Sequence, residues 1–110
     1  MPHAEIKYSD DLNIDAVGLL KEIEAVILEH DPGAGDCKGR AFPIKDWHHT
    51  HVLLEVAMLT KPHRDDAFSQ TMIKAFEQPI HAHLSQKTYV SISLTYMGDT
   101  YFTGVFDPTS

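Results

Sequence analysis

The second residue of the chain is a proline, and this position gives it a chemistry that an internal proline lacks. If Met1 is removed, the ring nitrogen of Pro2 becomes a free secondary amine, which is a base. Burial in an apolar pocket would lower the pKa of that amine towards the neutral range in which a general base works best. His3 could tune this base or line its pocket, and a purely structural role for His3 is equally compatible with the sequence. The alternative for Pro2 is that it merely follows the first methionine.

Few other groups in the chain could stabilise negative charge beside such a base. Arg40 and Arg64 are the only arginines, and Lys38 lies just before Arg40. A guanidinium binds carboxylate oxygens in pairs, so these cations are the candidates for binding an anionic group beside the base. The alternative for both arginines is a surface salt bridge, which for Arg64 would involve the adjacent Asp65 or Asp66.

Histidines are the other chemically capable residues. Five of the eight fall into two groups, His48, His49 and His51 and the pair His81 and His83. On a strand, His49 and His51 would share a face as metal ligands can, whereas two helical residues two apart diverge. Neither group brings the acidic or cysteine partner that would complete a tetrahedral site. We therefore predict no bound metal, and keep a histidine-cluster metal-binding module as an alternative function.

Composition limits the possible partners. The net charge of −7 argues against nucleic acid and against an anionic membrane surface, but locally converging cations could still bind an anionic small molecule. Cys37 is the only cysteine, which fits a reducing compartment. No signal peptide and no apolar run of the ~20 residues needed to span a bilayer is recognisable, so a cytoplasmic protein is expected. The 110 residues fit a single domain spanning 1–110.

The first half of the chain has a β-α-β pattern. Residues 4–9 alternate as a strand, with Ala4 and Ile6 on one face. A helix is predicted over residues 14–30, with Asn13 as its N-cap and Val17 in its apolar stripe. Residues 38–44 could form a strand or an extended loop.

The second half repeats the pattern. Residues 52–59 are almost wholly apolar and predict a strand covered on both faces. A second helix should begin near residue 64 or 65, with Phe68, Met72, Phe76 and Ile80 in its core stripe and Pro79 kinking or weakening it. Residues 88–97 alternate as a strand, and the apolar tail 101–106 could add an edge strand to a neighbour.

Each β-α-β unit places its two strands parallel, with the helix on one face. The pattern therefore predicts an α+β fold, with a four-stranded mixed sheet and two helices on one side. The other face of the sheet would be bare, and we expect other subunits to bury it.

Several motifs, in this order and spacing, resemble the 5-carboxymethyl-2-hydroxymuconate isomerase family of the tautomerase superfamily. The motifs are the opening Pro2-His3 with the strand ending at Tyr8-Ser9-Asp10, the stretch Lys38-Gly39-Arg40-Ala41 with Trp47 after it, Arg64 with Gln70 six residues later, and the long alternating strand before the tail. The resemblance covers essentially the whole chain. Lys38 departs from it, because an arginine is expected there and a lysine lacks the paired donors.

The resemblance implies a tautomerase-like β-α-β repeat assembled as a homotrimer, with active sites around the N-terminal proline. It implies a cofactor-independent isomerase of aromatic compound catabolism, which moves a proton in an unsaturated 2-hydroxy/2-oxo di- or tricarboxylate. Pro2 and Arg40 would then be catalytic, and Lys38, Arg64 and His3 would bind the substrate. A non-catalytic oligomer with the same fold is the alternative.

Overall fold

In the computed structural model, which describes residues 1–109, two helices cover one face of a four-stranded mixed sheet. The elements are β1 His3–Ser9, α1 Ala16–His30, β2 Lys38–Ile44, β3 His51–Leu59, α2 Asp66–Ala82 and β4 Tyr89–Met97. The strand order is β2-β1-β3-β4, with β1 parallel to β2, β3 parallel to β4, and β1 antiparallel to β3. The predicted α+β fold is confirmed, and residues 38–44 are a strand rather than a loop.

The core lies between the helices and one face of the sheet, as the two hydrophobic periodicities require. Every second residue of β1 and β3 is buried there, and each helix adds a stripe at a spacing of three to four residues. The main members are Ala4, Ile6, Val52, Leu54, Val56 and Met58 from the strands, and Leu19, Ile23, Ile27, Met72, Phe76 and Ile80 from the helices. Burying each large apolar side chain contributes roughly 1.5–3 kcal/mol.

The opposite face of the sheet is uncovered in the single chain. The alternate residues of β3, among them Leu53, Glu55 and Ala57, are only partly buried. The expectation that this strand is covered on both faces is therefore wrong within one chain. Its covering by further subunits stays a prediction.

Both helices begin at an aspartate cap. The Asp15 carboxylate accepts a hydrogen bond from the backbone N–H of Gly18 at 3.1 Å, so the predicted N-cap at Asn13 is wrong by two residues. Val17 is 64% exposed and does not belong to the core stripe. Asp65 caps α2 in the same way. That helix continues past Pro79 to its end at Ala82, so the proline does not terminate it.

Over residues 98–109, the described part of the tail after β4, the chain forms no strand. Its apolar side chains Phe102, Val105 and Phe106 are almost fully exposed. Pairing of this tail with a neighbouring chain stays a prediction. Within residues 1–109, neither helix has the length and apolar character needed to cross a membrane.

Candidate active site

The N-terminal residues are fixed at one end of the sheet. Pro2 immediately precedes β1, and its ring is fully buried. Its carbonyl oxygen accepts a hydrogen bond of 3.0 Å from the backbone N–H of Lys38, the first residue of β2. The parallel register then places His3 beside Lys38. Pro2 is thus held by both packing and the sheet ladder, as a base of defined position must be.

A cleft of about 480 Å³ opens beside the N-terminus. Its walls are Met1, His3, Asp36, Lys38 and the tail residues 101–105. Because Met1 forms part of the wall, its removal would extend the cleft towards the nitrogen of Pro2. The tail was predicted to pair with a neighbouring chain. Within this chain it forms one side of the cleft.

Positive charge converges on the chain terminus although the protein is acidic overall. The pKa of the terminal amine is lowered, first by burial and then by the charges of Lys38, Arg64 and Lys61. Both effects disfavour an ammonium ion. Two of the predicted cations, Lys38 and Arg64, thus act electrostatically on the terminus.

Arg64 is a buried structural cation. Its Nε and one terminal nitrogen donate to Oδ2 of Asp31 at 2.9 and 2.7 Å, and its other terminal nitrogen donates to the carbonyl of Leu59 at 2.7 Å. His63 Nε2 lies 3.0 Å from the same Asp31 oxygen. Burial alone would raise the Asp31 pKa, but the hydrogen bonds and charges of His63 and Arg64 together lower it. The expected alternative, a surface bridge to Asp65 or Asp66, is therefore wrong.

Arg40 lies on the open face of the sheet, where its Nε donates to Glu5 at 2.7 Å. Its side chain is 43% exposed, and the hydrogen bond to Arg40 is the main cause that lowers the Glu5 pKa. Arg40 and His3 both line a second, smaller cleft of about 170 Å³ on this face. Arg40 is thus a surface ion-pair partner, and its position beside His3 brings it next to the N-terminal cleft.

His3 lines both clefts and contacts the tail. Its Nε2 lies 2.9 Å from the hydroxyl oxygen of Tyr101, and the two rings meet edge to face. Its Nδ1 is buried and has no hydrogen-bond partner among residues 1–109. Burial, followed by the charges of Lys38 and Arg40, lowers the His3 pKa, so the ring is neutral at pH 7.

The other histidines do not assemble a metal site. His49 has a positive φ of 65° in the loop before β3, and its ring contacts that of His48 at a tilt of 43°. It therefore does not share a strand face with His51, which was the predicted arrangement. His83 caps α2 and pairs with Glu22 at 2.8 Å. In the described part of the chain, no group of three histidine, cysteine, aspartate or glutamate side chains could hold a metal ion.

Cys37 is not a candidate nucleophile. Burial, with a contribution from the nearby Glu24 carboxylate, raises its thiol pKa to about 11. A thiol with that pKa is almost entirely protonated at neutral pH, and the thiolate is the reactive form.

The β-α-β repeat of this chain is that of the tautomerase fold. One similar solved structure is a 5-carboxymethyl-2-hydroxymuconate isomerase from Deinococcus radiodurans R1. It has a TM-score of 0.74 and 14% identity over 96% of this chain and 90% of that one. A second 5-carboxymethyl-2-hydroxymuconate delta-isomerase has a TM-score of 0.71 and 18% identity over 97% and 89% of the two chains. A fused 4-OT, described as a wild-type symmetric trimer, has a TM-score of 0.70 and 11% identity over 91% of each chain.

No protein-family model matches the sequence, and no curated protein matches it in a sequence comparison. The structural neighbours are tautomerase-superfamily proteins, as the sequence motifs indicated, and they establish the fold of this chain.

Proposed function

We propose that this protein is a cofactor-independent tautomerase of unsaturated 2-hydroxy/2-oxo carboxylates, in which the amine of Pro2 is the acid–base group after Met1 is removed. In the proposed reaction the amine takes a proton from the enol form and returns one to a carbon of the conjugated system. The substrate would be a di- or tricarboxylate like 5-carboxymethyl-2-hydroxymuconate, the compound in the names of two structural neighbours.

One observation carries the proposal. The terminal amine of an acidic chain lies at a cleft where burial and nearby cations lower its pKa. An amine at Pro2 would lie in the same cationic end of the protein, and a neutral amine is what a general base requires. The same cations would attract an anionic substrate.

The predicted cations would have different roles in substrate binding and charge stabilisation. Lys38, in the wall of the cleft, would bind a substrate carboxylate, and His3 would line the substrate site beside it. Arg40 would stabilise the enolate oxygen, because its contact with Glu5 uses Nε and leaves its terminal nitrogens without a hydrogen bond within residues 1–109. Arg64 would contribute its charge rather than a direct contact, since its side chain is buried and each of its nitrogens already donates a hydrogen bond to Asp31 or Leu59.

We also propose a single domain over residues 1–110 that assembles into a homotrimer in the cytoplasm. The uncovered sheet face and the exposed apolar tail support assembly, and the fused 4-OT of the same fold is a symmetric trimer. Sedimentation equilibrium at micromolar concentration should give three times the chain mass.

The direct test combines an intact mass with a tautomerase assay. Protein shown to begin at Pro2 is mixed with 5-carboxymethyl-2-hydroxymuconate and with 2-hydroxymuconate, and the loss of the conjugated chromophore is followed. We expect turnover well above the buffer rate with Met1 absent and none with Met1 present, because a prolyl amide nitrogen is not basic. Inactivity of the correctly processed protein on both substrates would favour the non-catalytic oligomer.

Replacing Lys38 by glutamine should shift the acid limb of the pH profile of kcat/KM to higher pH. Lys38 lowers the pKa of the Met1 amine and, since its backbone is hydrogen-bonded to Pro2, should act in the same direction on an amine at Pro2; its loss would then keep that amine protonated, and inactive as a base, to higher pH. Lys87→Gln is the matched control, because Lys87 is exposed and precedes β4 at the opposite end of the sheet. An unmoved acid limb in Lys38→Gln would contradict the assigned influence of Lys38 on the base.

A further inference from the structure

The proposed reaction develops negative charge on the 2-oxygen of the substrate, and the N-terminal cleft has few donors for it. Arg64 is buried against Asp31, and Arg40, already proposed as one donor to this oxygen, belongs to the wall of the neighbouring cleft. The polar side chains that line the N-terminal cleft itself are those of His3, Asp36, Lys38, Tyr101 and Thr103. The phenol of Tyr101 is a neutral donor that the motifs did not identify.

The pairing of His3 with Tyr101 decides which way the phenol proton points. Neutral imidazole carries one N–H, and His3 Nδ1 is buried without a partner in residues 1–109. A proton on Nδ1 would be a buried donor with no acceptor, which native structures rarely contain. On Nε2 the proton has an acceptor, the Tyr101 oxygen at 2.9 Å.

With Nε2–H donating to the Tyr101 oxygen, the phenol proton is left free to donate elsewhere. The chain of donors then runs from the imidazole through the phenol into the cleft, and each hydrogen bond polarises the next. A donor placed where charge develops stabilises the transition state more than the ground state.

We propose that Tyr101 is a further catalytic residue of the N-terminal cleft, whose hydroxyl donates a hydrogen bond to the 2-oxygen of the bound enolate and is oriented by Nε2–H of His3. Tyr101 keeps its proton throughout, and Pro2 performs the carbon proton transfer. The catalytic role of Tyr101 rests on the proposed function. Binding of an anion by its hydroxyl does not, and it can be measured separately.

Tyr101→Phe removes the hydroxyl and keeps the ring. We expect kcat to fall by about 10- to 100-fold with KM nearly unchanged, somewhat less than the 10²–10³-fold typical of a lost oxyanion donor because cations remain nearby. Tyr89→Phe is the control: Tyr89 is 61% exposed at the opposite end of the sheet, and its loss should change neither constant. Circular dichroism of both variants checks the fold.

Two measurements test the assignment without turnover. Oxalate, a small planar dianion that mimics an enolised 2-oxo acid, is titrated calorimetrically into the processed protein, and Tyr101→Phe should weaken its binding about tenfold. The ¹⁵N shifts of the His3 ring should show the proton on Nε2. A third comparison uses turnover: His3→Gln, whose amide N–H can replace Nε2–H, should retain more activity than His3→Leu.

The outcomes separate the two proposals. Inactive wild-type protein that binds oxalate through Tyr101 would overturn the proposed function and leave the anion site standing. Active wild-type protein with an unaffected Tyr101→Phe variant would overturn the role of Tyr101 alone. The inference also fails if the His3 proton lies on Nδ1, or if oxalate binds wild type and Tyr101→Phe equally or not at all.

Discussion

Replacing Pro2 by alanine is expected to lower kcat/KM for tautomerisation by about 10²–10⁴-fold, the usual contribution of a positioned general base. An N-terminal alanine still offers an amine, but a primary amine outside a ring is free to rotate. Pro2 is fixed by complete burial of its ring and by the Lys38 N–H on its carbonyl. The variant keeps that backbone hydrogen bond, so the fold should survive.

The measurement is a pair of initial-rate curves on proteins whose N-termini have been verified by mass. A second protein, cut from a fusion so that one glycine precedes Pro2, gives the sharper comparison. It retains the proline ring but converts its nitrogen to an amide, and it should be inactive. Wild-type kcat/KM in either protein, with an unchanged circular dichroism spectrum, would remove Pro2 from the mechanism.

The sequence predicted the architecture well because its elements follow local periodicities. Ala4 and Ile6 alternate into the core, and Met72, Phe76 and Ile80 recur at helical spacing. The spacing of apolar residues within each segment therefore predicts which of its faces is buried. The helix caps were less certain. Several short polar residues precede α1, and the choice of Asp15 depends on where the first turn packs.

The site could be predicted only in part, because its decisive contacts join residues far apart in the chain. The alternative to a substrate-binding role for Arg64 was an ion pair with the adjacent Asp65 or Asp66, but its carboxylate partner, Asp31, lies 33 residues earlier. The contact of His3 with Tyr101 spans 98 residues, and the tail showed only its apolar character. Local sequence identifies side chains able to do chemistry, whereas the fold determines which of them are already engaged in hydrogen bonds or ion pairs with other residues.

Asp31 and Arg64 form a buried ion pair, and breaking this pair is expected to have the largest effect on stability. Their side chains are 9% and 3% exposed, so removing one partner leaves an uncompensated charge in the core. Asp31→Asn should lower the free energy of unfolding by about 3–5 kcal/mol, a large share of the ~5–15 kcal/mol of a typical domain. Urea unfolding at fixed protein concentration measures it, with Asp46→Asn, an exposed loop aspartate, as the control.

The pH dependence of stability tests whether the charge on Asp31 causes this loss. The Asp31 pKa is lower in the folded protein than in the unfolded chain, so its contribution is present above the unfolded value of about 4 and is lost as pH falls through the folded value. The stability difference between wild type and Asp31→Asn should therefore shrink below pH 4. Since Arg64→Met removes the same interaction, the double variant should lose less stability than the sum of the two single variants. Additive losses would mean that the two side chains stabilise the fold independently, and Asp31 would then have no part in holding the Arg64 charge near the N-terminal amine.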